Sequence, residues 1–164
     1  WLPEANALVV EHMSGFTMSF RRDAIGAVGF DETLWGYALQ EDADASLGVM
    51  RAGWLLVSAQ DAWIYHHKAP GGRGGARQLG FMKIANRLYL LAKHAEPDAA
   101  LKRAMAVYAG LRFGQFAAGA ASPYLRDQLS VGLAVWRDRR AFYEAEKAAL
   151  PAVYARMRAR HLDA

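Results

Sequence analysis

Two adjacent carboxylates, Glu41 and Asp42, with Asp44 just beyond, form the group in this sequence best suited to chemistry. Acidic residues at a helix start are favoured by the positive end of the helix macrodipole, and Asp44 fits that stabilising role. A carboxylate in a cleft, within hydrogen-bond reach of a hydroxyl, can also take its proton as a general base. His66 and His67 close the run Trp63-Ile64-Tyr65. Read on their own, one is a surface residue and the other a hydrogen bonder at a strand end. In the segment Pro70 to Arg77, glycine N–H groups can cradle phosphates, with Arg73 or Arg77 pairing to them. A flexible linker, or a short arginine–glycine nucleic-acid segment, are the alternatives there. Trp35, beside Gly36 and Tyr37, offers an apolar platform for a sugar ring or else belongs to the core. Arg21 and Arg22 can contact a phosphate or pair with nearby carboxylates, and the pairing role is preferred.

These side chains need elements to position them. Ala7 to Val10 is a candidate strand, and Phe16 to Phe20 alternates as a half-buried strand does. Asp23 is placed to cap a short helix through Val28, which Gly29 would end. Glu41 to Ala52 reads as a helix with Leu47 and Met50 facing inward and Gly53 after its end. Trp54 to Val57 and Trp63 to Tyr65 read as strands. Four glycines in the five residues 71–75 exclude regular structure. Beyond them Phe81, Ile84, Ala85, Leu88, Leu91 and Ala92 form a stripe at helical spacing, with Lys83, Arg87 and His94 opposite. Further helices are predicted over 99–118 and 123–147, the second opened by Ser122-Pro123, and a last one from Pro151. The predicted organisation is an α/β part over 1–69, a glycine–arginine loop over 70–77 and a helical region over 78–164.

The 164 residues suit one domain with a real core. With 54% hydrophobic and 22% charged residues the chain reads as globular. No cysteine is present, which excludes disulfides and thiolate metal sites and fits a reducing compartment. The net charge of +4, with an arginine-rich tail, suits a phosphate, a nucleic acid or an anionic membrane surface as partner. No apolar run reaches the ~20 residues needed to cross a bilayer. The start at Trp1-Leu2-Pro3-Glu4 lacks a basic leader and an initiator Met, so the chain is expected to be part of a longer protein.

The order and spacing of several pieces carry a resemblance. They are Ser14-Gly15-Phe16-Thr17-Met18-Ser19-Phe20-Arg21-Arg22, then Val28-Gly29-Phe30-Asp31-Glu32, then Gln40-Glu41-Asp42-Ala43-Asp44. Ala52-Gly53-Trp54 and Asp61-Ala62-Trp63-Ile64-Tyr65-His66-His67 follow. Together, over roughly residues 10–95, they resemble the second half of family 2 glycosyltransferases, including a helix with Asn86-Arg87 and Lys93-His94. The resemblance implies an α/β fold: the C-terminal half of a nucleotide-diphospho-sugar transferase fold of the glycosyltransferase A type, followed by a helical tail. It also implies inverting transfer of a sugar from a nucleotide-diphosphate donor to a saccharide or lipid-linked acceptor. In that scheme Asp42 is the general base and Glu41 and Trp35 bind acceptor. Arg73 and Arg77 meet the donor diphosphate under a mobile lid. A Mg or Mn ion takes one histidine ligand, His66 by the family spacing, or His67 if the strand register slips by one. Asp42-Ala43-Asp44 spells Asp-x-Asp but lies in the acceptor segment and is not assigned to the metal. The N-terminal half of the same enzyme would hold the nucleotide, so the chain alone is expected to be inactive. Surface polysaccharide or glycolipid synthesis in the cytoplasm, at the inner face of the plasma membrane, is the setting implied. A non-catalytic helical module at the membrane is the first rival; an arginine-rich nucleic-acid binder ranks last, so no nucleic acid is expected.

Overall fold

A computed structural model of the chain describes residues 6–67 and 74–163, which fall into two compact units. The first comprises residues up to Leu34 and from Gln40 to Pro70; the second comprises Trp35–Leu39 and the chain from Gly71 onward. Helices and a two-stranded sheet make it a mixed α/β chain.

In the first unit the branched run Ala7–Val10 forms β1 and pairs antiparallel with β2, Leu56–Ala59. The register places Val10 opposite Leu56 and Ala7 opposite Ala59. Leu56 packs with Ala24 of α1 (Arg22–Val28) and Val49 of α2 (Glu41–Arg51), and Val10, Met13, Phe20, Met50 and Trp54 close around them. Gly48 permits the approach of the two helices, since a Cβ there would run into Val28. Gly29 (φ 73°) and Gly53 (φ 89°) follow the two helices in left-handed conformations that suit glycine.

Several sequence expectations are corrected. Phe16–Phe20 and Trp63–Tyr65 are not strands, because neither segment has a ladder partner among the described residues. Trp63 and Tyr65 are instead highly exposed, and the strand expected at 54–57 is shifted to Leu56–Ala59. Asp23 lies in the first turn of α1; the cap position is Arg21, which makes no side-chain cap. The buried residues of α2 are Asp44, Ala45, Ser46 and Val49; half-buried Met50 packs against the core as expected, while Leu47 is half-buried and outside that cluster.

The second unit is built on α3, Ala76–His94. Its expected stripe is buried except for half-buried Leu91, and so are Met82, Asn86, Tyr89 and Leu90 on other faces. Around it lie α4 (Ala99–Ala118), capped by the Asp98 carboxylate, and α5 (Pro123–Arg137). Then come α6 (Arg140–Tyr143), a single 3-10 turn and α7 (Leu150–His161). The helix expected over 123–147 breaks at Asp138; just beyond it, Arg139 turns back, donating to the Trp136 carbonyl and lying over its ring. A Cβ on Gly80 would sit 2.6 Å from the Gln128 backbone, so glycine lets α3 and α5 touch backbone to backbone. Asn86 binds two distant segments: its amide donates to the Leu39 carbonyl and its carbonyl accepts from the Tyr154 hydroxyl, both at 2.6 Å.

Replacing Asn86 by Leu keeps the branched shape, with a somewhat larger volume, and strands both partners. Asn86→Leu is therefore expected to lower stability by about 2–4 kcal/mol, read as a lower urea midpoint at unchanged slope. A loss below about 0.5 kcal/mol would show that neither bond matters to the unit.

Candidate functional site

The start of α2 sets the site. Gln40, just before it, takes a left-handed conformation (φ 78°, ψ 15°) and offers no side-chain cap. Glu41, Asp42 and Asp44 then fill the first turn, as the macrodipole favours, and Asp44 is buried. One Asp42 oxygen accepts from the Gly15 N–H at 3.1 Å and the other from the Ala43 N–H at 2.8 Å. His12 Nε2 lies 3.5 Å from the first of these oxygens, and the Asp42 side chain keeps 24% of its exposure. It is therefore held in place yet open to solvent on one side.

Gly15 is required for this packing. A Cβ on it would come 2.8 Å from a Glu41 oxygen and 3.4 Å from the Asp42 Cβ, so both acidic side chains rest on bare backbone. Four residues along α2 from Asp42, the buried Ser46 hydroxyl accepts from the Met13 N–H at 3.0 Å. The segment His12–Phe16 is thus pinned to one face of α2 at positions one helical turn apart. Thr17 N–H closes its turn onto the Ser14 carbonyl. At the far end of the segment, the Phe16 ring stacks on His66 at 3.9 Å. The turn therefore touches Asp42 and Glu41 through Gly15 and His66 through Phe16.

Partial burial raises the Glu41 pKa, and the adjacent Asp42 charge adds to that, while backbone N–H groups oppose it. His66 and His67 are both exposed and lie on no strand, so alternation does not separate them; the stack on Phe16 does. Among the described residues no three His, Cys, Asp or Glu side chains gather to hold a metal. Arg21 lies over the Trp54 ring at 5.4 Å, a packing role.

The other expected residues belong to the helical unit. Trp35 and Arg77 line one cavity of about 420 Å³ together with Gly75, Asp127 and Asp163. The Arg158 guanidinium lies 5.2 Å from the Trp35 ring, and Arg77 donates to the His161 carbonyl. Arg73 is outside the described residues. Sequence reasoning missed His12, Ser46 and the Phe16–His66 stack. The Ser14-Gly15 turn was their one visible sign.

No protein-family model matches the chain, and no solved structure matches it. A similarity to a glycosyltransferase is found over 85 residues, 51% of the chain, at 36% identity. The relative is N-acetylglucosaminyl-diphospho-decaprenol L-rhamnosyltransferase, found alike in two strains of Mycobacterium tuberculosis. The chain spans 27% of the length of these curated relatives.

Because the folded state raises the Glu41 pKa, it favours the protonated acid. Stability is then full below the ordinary value of 4.5 and falls as pH rises through the raised value. Glu41→Gln is expected to be the more stable protein at pH 7. The gain should vanish below pH 4.5 in urea titrations at several pH values. A pH-independent difference would mean that the ionisation of Glu41 is not its source.

Proposed function

We propose that the chain is the acceptor-side part of an inverting family 2 glycosyltransferase of the glycosyltransferase A type. The observation that carries this is the acidic turn, where Asp42 is fixed by the Gly15 N–H and partly open to solvent, with Glu41 beside it. In the reaction, an acceptor hydroxyl oxygen forms a bond to the anomeric carbon of the donor sugar. The bond to the nucleotide diphosphate breaks with its electron pair, and Asp42 takes the hydroxyl proton. A single displacement of this kind inverts the anomeric centre. Glu41, next to the base, helps hold the acceptor.

The similarity to a rhamnosyltransferase acting on a diphospho-decaprenol-linked N-acetylglucosamine supports a lipid-linked saccharide as acceptor, and cell-surface polysaccharide synthesis as the setting. The nucleotide-diphosphate sugar would be bound by the N-terminal half of the same enzyme. The Trp35 cavity is proposed to seat a sugar ring, with Asp127 and Asp163 accepting from its hydroxyls, and Arg77 to meet donor phosphate. Among the described residues no helix is long and apolar enough to cross a membrane. A cytoplasmic location at the inner membrane face remains part of the proposal.

A Mg or Mn ion fits this chain only in part. The side chains at the acidic turn do not form a metal site by themselves, so no step is routed through one. The proposal is restricted to a single ligand, His66, which the Phe16 stack holds beside the turn.

Asp42→Asn in the complete enzyme keeps the shape and removes the basicity. Transfer is expected to fall on the order of 100-fold or more, with donor affinity unchanged in a binding titration. Near-normal turnover would remove Asp42 from the role of base. Titrating Mn against activity tests the ligand: His66→Ala should need more metal for half-maximal rate than His67→Ala. The reverse order would move the ligand to His67, and no shift in either would end the metal assignment.

A further inference from the structure

Away from the acidic turn, the end of α5, the short α6 and α7 enclose a cleft of about 450 Å³ that serves no role above. Its size is that of a small-ligand site. Arg137 and Arg140 line it from one side and Arg156 and Arg160 from α7, while buried Val153 and Met157 give it an apolar base. Residues 153, 156, 157 and 160 share one face of α7, so apolar and cationic side chains alternate along a single stripe.

Among the described residues lining the cleft, Asp138 is the one carboxylate, and it is already engaged. Its Oδ2 lies 2.9 Å from Arg160 Nη1 and 3.0 Å from His161 Nε2. Three further guanidiniums remain in excess of it. A helix macrodipole accounts for Arg137 and Arg160, which lie in the last turns of α5 and α7. It does not account for Arg156, halfway along α7, or for Arg140, which opens a helix of four residues. Arg156 and Arg160 are also four apart, a spacing at which like charges repel. An anion between them turns that repulsion into attraction.

We propose that this cleft binds a phosphate-bearing ligand, whose phosphate or diphosphate group is held by Arg137, Arg140, Arg156 and Arg160. The planar guanidinium fork matches phosphate oxygens in pairs, and the Val153–Met157 base receives the carbon skeleton next to the phosphate. Two sources share this chemistry, a soluble diphosphate and a lipid headgroup. The inference stands on the cleft alone and does not depend on the glycosyl-transfer reading.

The chain is titrated calorimetrically with inorganic pyrophosphate and sedimented with phosphatidylcholine vesicles, with and without phosphatidic acid. Three proteins are compared: wild type, Arg140→Gln/Arg156→Gln, and Arg103→Gln/Arg126→Gln. The last removes the same charge from exposed positions that do not line the cleft. All four positions are exposed, and circular dichroism checks that the folds are equal. The wild type and the remote variant are expected to bind alike, and the cleft variant at least about tenfold more weakly. Cleft-dependent pyrophosphate binding supports the proposal with a soluble diphosphate as a sufficient ligand. Cleft-dependent binding only to phosphatidic acid vesicles supports it with a headgroup as the source. Equal losses in both variants would reduce the effect to overall charge and overturn it. Wild-type binding to neither probe would also overturn it, as would binding to an oligonucleotide alone.

Discussion

Asn86 lies fully buried in α3, and each buried polar group left without a partner costs about 1–3 kcal/mol. Its two bonds therefore dictate where other parts of the helical unit must be. The Tyr154 hydroxyl has to reach it, which fixes α7, and the Tyr154 ring then meets Phe81 and Tyr89 edge to face, each at 5.5 Å. The Leu39 carbonyl has to reach it too, which draws Trp35–Leu39 into the same unit. Gly80, six residues earlier on α3, adds the close approach of α5. A helix buried on nearly every side needs such polar anchors, because apolar contacts alone do not select one rotation of it over another.

The acidic turn follows a different logic. Two neighbouring carboxylates meet unlike surroundings: Asp42 receives backbone N–H bonds on both oxygens, whereas burial works against the charge of Glu41. Neighbouring acids whose environments differ in this way can take different chemical roles. The bare backbone of Gly15 lets both rest against one turn, and Ser46 holds that turn from further along the same helix.

Elements with local signals were legible in the sequence. The acidic start and trailing Gly53 marked α2, and the branched run marked β1. Period-two alternation at Phe16–Phe20 was misleading, because a strand is made by its partner as much as by its own pattern. The helix break at Asp138 carries neither proline nor glycine, so nothing in composition announced it. Trp35 stands six residues before Glu41 but belongs to the other compact unit. The chain passes from one unit to the other between Leu39 and Gln40, where a left-handed glutamine gives no sign in the sequence. The Phe16–His66 stack joins residues fifty apart, a distance over which pattern carries no information.

The bond from Asn86 to Leu39 also sets an order of events during synthesis. The two residues are 47 apart, and every residue between them must be made before the bond can form. At ribosomal rates of about 5–20 residues per second, Leu39 waits several seconds for its partner. In that interval Gln40–Pro70, which belong to the other unit, are completed first. The nascent chain thus makes an inserted segment before it can close the unit that brackets it, and the nonpolar residues of 35–39 stay available to chaperones until α3 is made. Slow codons placed after residue 70 would lengthen that wait, and a ribosome stalled there would hold a chain whose second unit had not yet begun to close.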